Sequence, residues 1–206
     1  MSTQTLVELV QERPDVSWAA APLLPLQGHW SEAEYLWLAR RTNKLVELAD
    51  GYLEVLSMPS PKHQKIVLFL YRILFRFVEA HTLGSLLVAP LSVRLWPGQF
   101  REPDLVFMLA QHLDQEEEDC WNGADLAIEV VSPSNPEHDI ETKRKEYAQA
   151  GIAEYWIVNP NTGIITVLQL DDDHYIEYGA FGRGESATSL LLPGFVVQVD
   201  AVLDAK

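Results

Sequence analysis

The sequence predicts an α/β (α+β) protein, a mixed β-sheet flanked by helices, and three observations carry that reading. Helical periodicities dominate the first part of the chain and extended runs dominate the rest. One strand-helix-strand unit runs from "DLAIEVV" through "EYWIV", residues 125–158. A crossover of that kind implies a parallel strand pair. The 206 residues are enough for one sizeable core and few for two, so the chain reads as one domain, 31–206, behind an N-terminal arm, 1–30.

Taken in order, the arm holds a short helical pattern and a Pro-rich connector, "APLLPLQGHW", placed to pack against the body or a partner subunit. Ser31 and Glu34 have the spacing of a capping box and open a helix over about 31–41. Asp50-Gly51 between two alternating runs predicts a hairpin with Glu47 and Glu54 on its two strands. A long helix is expected over 61–81, ended by Gly84. "SLLVAPLSVRLW" and "PDLVFML" read as strands with "PGQFRE" as the turn between them, and "AQHLDQEEEDCWNGA" as a solvated acidic loop. "DLAIEVVS" is the apolar run expected of a strand covered on both faces. A helix over 139–150 ends at Gly151, and "AEYWIVN", "GIITVLQL", "HYIEYGA" and "FVVQV" complete the strands.

Hydrophobic residues at 48% and charged residues at 22% exclude disorder as the main state. The formal charge of −15 repels polyanions, and contiguous basic residues occur only at Arg40-Arg41 and at 143–145. Cys120 is the single cysteine, so neither an intramolecular disulfide nor a cysteine zinc site is available. The acidic start lacks the pattern of a signal peptide, and the apolar run "IVLFLYRILFRFV" is interrupted by Arg72 and Arg76. A cytoplasmic protein with no membrane segment is expected.

The most informative residue is Glu129, an acid between Ile128 and Val130. Burying an ionised carboxylate there costs several kcal/mol unless a cation compensates it. Strand alternation sends Glu129 and Val131 to one face and Ile128 and Val130 to the other. Asp104, after Pro103 at the head of another apolar strand, is the candidate neighbour, and two such carboxylates suit Mg²⁺ or Mn²⁺. Asp104 alone also reads as an acid that ends its strand or pairs with a base. At 100° per residue the helix after the turn buries Ile140, Tyr147 and Ala148 and directs Lys145, Glu146 and Gln149 outward. Lys143 and Arg144 flank the buried stripe on opposite sides, and either stem reaches back toward Glu129.

The runs "PDLVFML" and "LAIEVVSPSNPEHDIETKRKEYAQAGIAEYWIVNP", preceded by "YLWLARRTNKLVELADGYLEVLSMPSPKHQKI", resemble the Uma2 family, the DUF820 group, over residues 30–200. That resemblance implies a restriction-endonuclease-like core of the PD-(D/E)XK nuclease superfamily. Pro103-Asp104 and Glu129 match the superfamily motif, but Val131 stands where its lysine belongs. The family pattern supplies that lysine from the following helix in an Asp-x-x-x-Lys-x-x-x-Tyr run, here Asp139, Lys143 and Tyr147, and so selects Lys143 over Arg144.

The implied activity is metal-assisted hydrolysis of nucleic acid, DNA first. Asp104, Glu129 and the backbone carbonyl of Val130 or Val131 would hold Mg²⁺ or Mn²⁺, and Lys143 would position the nucleophile. Glu47 and His63 are the accessory positions that the family pattern adds, and a homodimer is the expected assembly. Two other classes compete: a non-catalytic interaction module that keeps the fold, and a two-acid glycosidase, which needs no lysine.

Overall fold

The computed structural model describes residues 26–132 and 135–206, so all but the last five residues of the N-terminal arm lie outside it. Helix α1, Glu32–Ala39, starts at Ser31, whose hydroxyl accepts from the Glu34 N–H while its own N–H donates to the Glu34 carboxylate at 3.0 Å. The predicted capping box is therefore closed. Strands β1, Val46–Ala49, and β2, Tyr52–Val55, form the predicted hairpin, with Asp50 at φ 49° and Gly51 at φ 78°. Its register sets Glu47 directly opposite Glu54.

Helix α2, Pro61–His81, opens on Ser60 as cap and Pro61 in its first turn. It buries Ile66, Val67, Leu70, Leu74 and Val78. The helix ends at Thr82, which adopts the left-handed conformation at φ 52°, rather than at Gly84. Gly84 instead opens strand β3, Gly84–Val88, where a Cβ would come within 1.9 Å of the Met108 carbonyl oxygen. The glycine is there for close backbone approach.

Strand β4, Val93–Trp96, is followed by β5, Gln99–Arg101, so half of "PGQFRE" is strand, and the turn is only Pro97-Gly98. Strand β6 is Leu105–Leu109. A short 3₁₀ turn, Ala110–Gln115, and strand β7, Trp121–Asn122, give order to much of the predicted acidic loop. Strand β8 is Leu126–Val130, followed by a π-helical turn, His138–Thr142, and helix α3, Lys143–Gln149. Strands β9, Glu154–Asn159, β10, Ile164–Asp171, and β11, His174–Phe181, come next. The chain closes with β12, Ser186–Thr188, β13, Val196–Gln198, and helix α4, Val199–Leu203; neither β12 nor α4 was expected.

The main sheet has the order β11-β10-β9-β8-β6-β3, with β8 and β9 parallel as the crossover requires. A second sheet, β2-β1-β5-β4-β7, and the pair β12-β13 complete the fold. Leu126, Ile128 and Val130 of β8 face a core shared with α2 and α4, while Ala127 and Val131 face one shared with Tyr147 and Ala148 of α3. Strand β8 is thus covered on both faces, as its unbroken apolar run demands. Among the described residues no helix is long and apolar enough to cross a membrane.

Candidate active site

Strands β6 and β8 run antiparallel with Leu105 opposite Ile128, which brings the preceding Asp104 beside Glu129. The Asp104 Oδ2 accepts from the Val130 N–H at 2.8 Å, and the Asp104 N–H lies 3.4 Å from Glu129 Oε2. The two predicted acids meet through the sheet. The first turn of α2 adds His63, whose Nε2 lies 3.1 Å from the same Asp104 Oδ2.

Lys143 closes the site from the other side. Its Nζ donates to Glu129 Oε1 at 2.8 Å and lies 3.3 Å from Glu47 Oε1 and 3.6 Å from Asp139 Oδ1. The Tyr147 hydroxyl, one turn further along α3, donates to the same Glu129 Oε1 at 2.8 Å. The helical wheel put Lys143 on the edge of the helix, whereas its side chain is only 3% exposed. Lys143 lies one turn before Tyr147 in the same regular helix, about 40° around it, so the face that buries Tyr147 carries Lys143 inward as well. Arg144 points elsewhere and donates to the Tyr175 carbonyl.

Several residues at the site were not singled out from the sequence. Arg101, 1% exposed, donates to Glu47 at 2.9 Å, to Glu54 at 2.6 Å and to both oxygens of Glu146. Glu146 therefore faces inward onto Arg101 and Gln99 rather than outward to water. Arg101 lay hidden in a stretch read as a turn. The available signal was its alternation with Phe100, two residues ahead of Pro103-Asp104. Glu102 is also buried, with Oε2 lacking any hydrogen-bond partner, and its N–H donates to Glu47 Oε1 at 2.9 Å. His138 Nε2 stands 3.4 Å from Glu47 Oε2.

Charge shapes this cluster. Burial and the carboxylates of Asp104 and Asp139 hold the Glu129 pKa well above its usual range, against the opposing pull of Lys143. Burial, with the charge of Glu47, pushes Glu102 up to about 8. For Glu47 burial acts the same way, but Lys143, His138, Arg101 and the Glu102 N–H together overcome it and drive the group down. Burial works against the Lys143 ammonium, yet Glu129, Glu47 and Asp139 raise its pKa well above the ordinary lysine value. Burial likewise opposes the charged form of His63, and its bond to Asp104 outweighs that and raises it.

A divalent cation fits these residues in one place better than another. Among the described residues, Glu47, Glu54 and His138 bring ligand atoms within 4.8 Å of one another. Arg101 already sits on both of those carboxylates and compensates them. At the Asp104-Glu129 pair, Oδ2 and Oε1 take the strong hydrogen bonds, so Oδ1 and Oε2 remain as hard oxygen donors.

Fold and site together define a mixed α/β protein with an acid and ammonium centre at the ends of its middle strands. The family profile described as "Uma2: Putative restriction endonuclease" matches residues 32–200, and the chain belongs to that family. The fold is similar to the crystal structure of "a putative nuclease belonging to DUF820" from Anabaena variabilis, with a TM-score of 0.66 and 14% sequence identity. That similarity covers 79% of this chain and 92% of the other. No curated protein matches the chain.

Proposed function

We propose that the chain is a divalent-metal-dependent nuclease that hydrolyses phosphodiester bonds of DNA at Asp104, Glu129 and Lys143. The observation that carries this reading is the convergence of acids on one buried ammonium: Lys143 contacts Glu129 and Asp139, with Asp104 adjoining, while the Glu47 that it also contacts is compensated by Arg101. A purely structural ion pair would be balanced, because an uncompensated buried carboxylate costs several kcal/mol. Asp104, Glu129 and the backbone carbonyl of Val131 would hold Mg²⁺ or Mn²⁺, with Glu47 at the edge of the set. When bound, the metal would acidify a water molecule and polarise the scissile phosphate.

The chain's own groups do the rest. The Val130 N–H and His63 fix the Asp104 carboxylate, and Lys143 with Tyr147 fixes that of Glu129. Lys143, a compact charge rooted in α3, orients the attacking water and stabilises negative charge on the phosphate. The Uma2 membership and the nuclease-like fold support phosphoryl chemistry over the glycosidase alternative.

The test is nicking of supercoiled plasmid in Mn²⁺ by the parent protein and by Asp104→Asn and Lys143→Met. The reading expects cleavage by the parent, suppressed by EDTA and reduced at least 100-fold in both variants. Cleavage that survives both substitutions would locate the chemistry elsewhere.

A further inference from the structure

With a net charge of −15, most of this surface repels nucleic acid. The basic clusters visible as contiguous sequence are largely engaged. Arg40 pairs with Asp119 and Glu118, Arg41 lies over the Trp37 ring, Lys143 is enclosed by carboxylates and Arg144 binds a backbone carbonyl.

Helix α2 is different. It carries Lys62, Lys65, Arg72 and Arg76, all exposed, and its only acid is Glu79. At 100° per residue the four bases fall within an arc of about 80°, opposite the stripe of Leu70, Leu74 and Val78 that faces the core. From Lys62 to Arg76 the row spans about 21 Å at 1.5 Å per residue. Among the described residues Lys65, Arg72 and Arg76 have no ion pair, and Lys62 lies near Asp204 without forming one. The row's first member, Lys62, shares the first turn of α2 with His63, which reaches Asp104 from the core-facing side, about 100° around the helix.

Resting on the nuclease reading above, we propose that this face of α2 is the docking surface for the backbone of duplex DNA, leading one strand to the Asp104-Glu129 centre. Charge complementarity supports that occupant: on an acidic protein, a row of cations without ion pairs lies on the outer face of the helix whose first turn reaches the site. The row tracks a backbone without the stacking platform that single strands require. Its one aromatic, Phe69, is half-buried and packed against the core. A B-form major groove admits a helix, while the A-form groove of duplex RNA is too deep and narrow.

The test is fluorescence anisotropy of a labelled 20-base-pair DNA duplex in EDTA, which separates binding from hydrolysis. Four phosphate contacts predict a slope of log K against log salt of about −3.6, a loss of roughly 150-fold between 50 and 200 mM salt. Lys65→Gln/Arg72→Gln/Arg76→Gln should flatten the slope to about −0.9, and Lys44→Gln, remote from the row, should leave it unchanged. If the triple variant fails to fold by circular dichroism, Arg72→Gln and Arg76→Gln alone should each change the slope by about 0.9.

An unchanged slope in these variants, or no binding by the parent at 50 mM salt, overturns the surface. Tighter binding of single-stranded DNA or duplex RNA overturns the choice of occupant. Row-dependent binding without cleavage in Mn²⁺ keeps the surface and rejects hydrolysis. Cleavage by a protein whose binding ignores the row does the reverse.

Discussion

Lys143→Met keeps most of the aliphatic stem and deletes the charge, leaving Glu129, Glu47 and Asp139 around an apolar end group. At an effective dielectric constant of 20, the attraction lost at 2.8, 3.3 and 3.6 Å is about 5 kcal/mol per contact, before the recovered desolvation of the ammonium is subtracted. The cluster limits this loss by taking up a proton. Protonating one carboxylate of unfolded pKa near 4.3 costs about 5 kcal/mol at pH 8 and about 1 kcal/mol at pH 5. The variant should therefore be destabilised by roughly 3–5 kcal/mol at pH 8, the range for breaking a buried ion pair, and by about 1 kcal/mol at pH 5.

The sign follows from which group titrates. Lys143 is charged in both folded and unfolded states below its unfolded pKa near 10.4, so it adds no pH dependence over this window. Glu47, which Lys143 helps hold below its usual range in the parent, is the carboxylate that takes up a proton once the ammonium is lost. It binds a proton on folding, and stability falls as pH rises. Urea unfolding followed by tryptophan fluorescence at the two pH values reads the difference. Adding Glu129→Gln should recover more than about 1 kcal/mol at pH 8, since the two residues share one contact. Equal losses at both pH values, or strict additivity in the double variant, would refute the charge argument.

Other substitutions probe the surroundings of the site. Glu102, pushed up to about 8, takes up a proton on folding, so the parent loses stability between pH 4.5 and 8. Glu102→Gln should be the more stable protein above pH 8, by up to about 5 kcal/mol, and parallel pH profiles in urea would contradict this. Arg101→Met strips the guanidinium from Glu47, Glu54 and Glu146 and should cost about 3–5 kcal/mol, lowering Tm by about 10 °C. Arg101→Lys should recover little, because an ammonium cannot reproduce the forked contacts; a Tm near that of the parent would show that the clamp is dispensable. Gly84→Ala drives a Cβ against the Met108 carbonyl and should cost about 3 kcal/mol or more by the same measurement.

Glu129 was legible because an acid inside an apolar, doubly covered strand has few bland explanations. Asp104 was legible because the apolar run after it marked a neighbouring strand. The depth of Lys143 was not, since only the packing of α3 against Glu129 and Glu47 shows how far inward its ammonium is held. Arg101 and Glu146 were missed together. Each is unremarkable alone, and only the pairing of β5 with β1 and the packing of α3 bring them into contact. The basic row on α2 escaped notice because its members are dispersed at helical spacing, while contiguous bases caught attention although they are mostly neutralised in the fold. Strand β12 and helix α4 span three and five residues, too few for periodicity to register.

A divalent-cation site of Asp104 and Glu129 beside Lys143, as proposed, can be tested without knowing the substrate. Calorimetric titration of the intact protein with Mn²⁺ should give one saturable site per chain. Binding should be weakened at least 10-fold in Asp104→Asn and in Glu129→Gln, and kept in Glu54→Gln, which alters only the cluster already held by Arg101. Saturable binding that survives loss of Asp104 and Glu129 but disappears with Glu54, or no binding by the parent, would contradict the account.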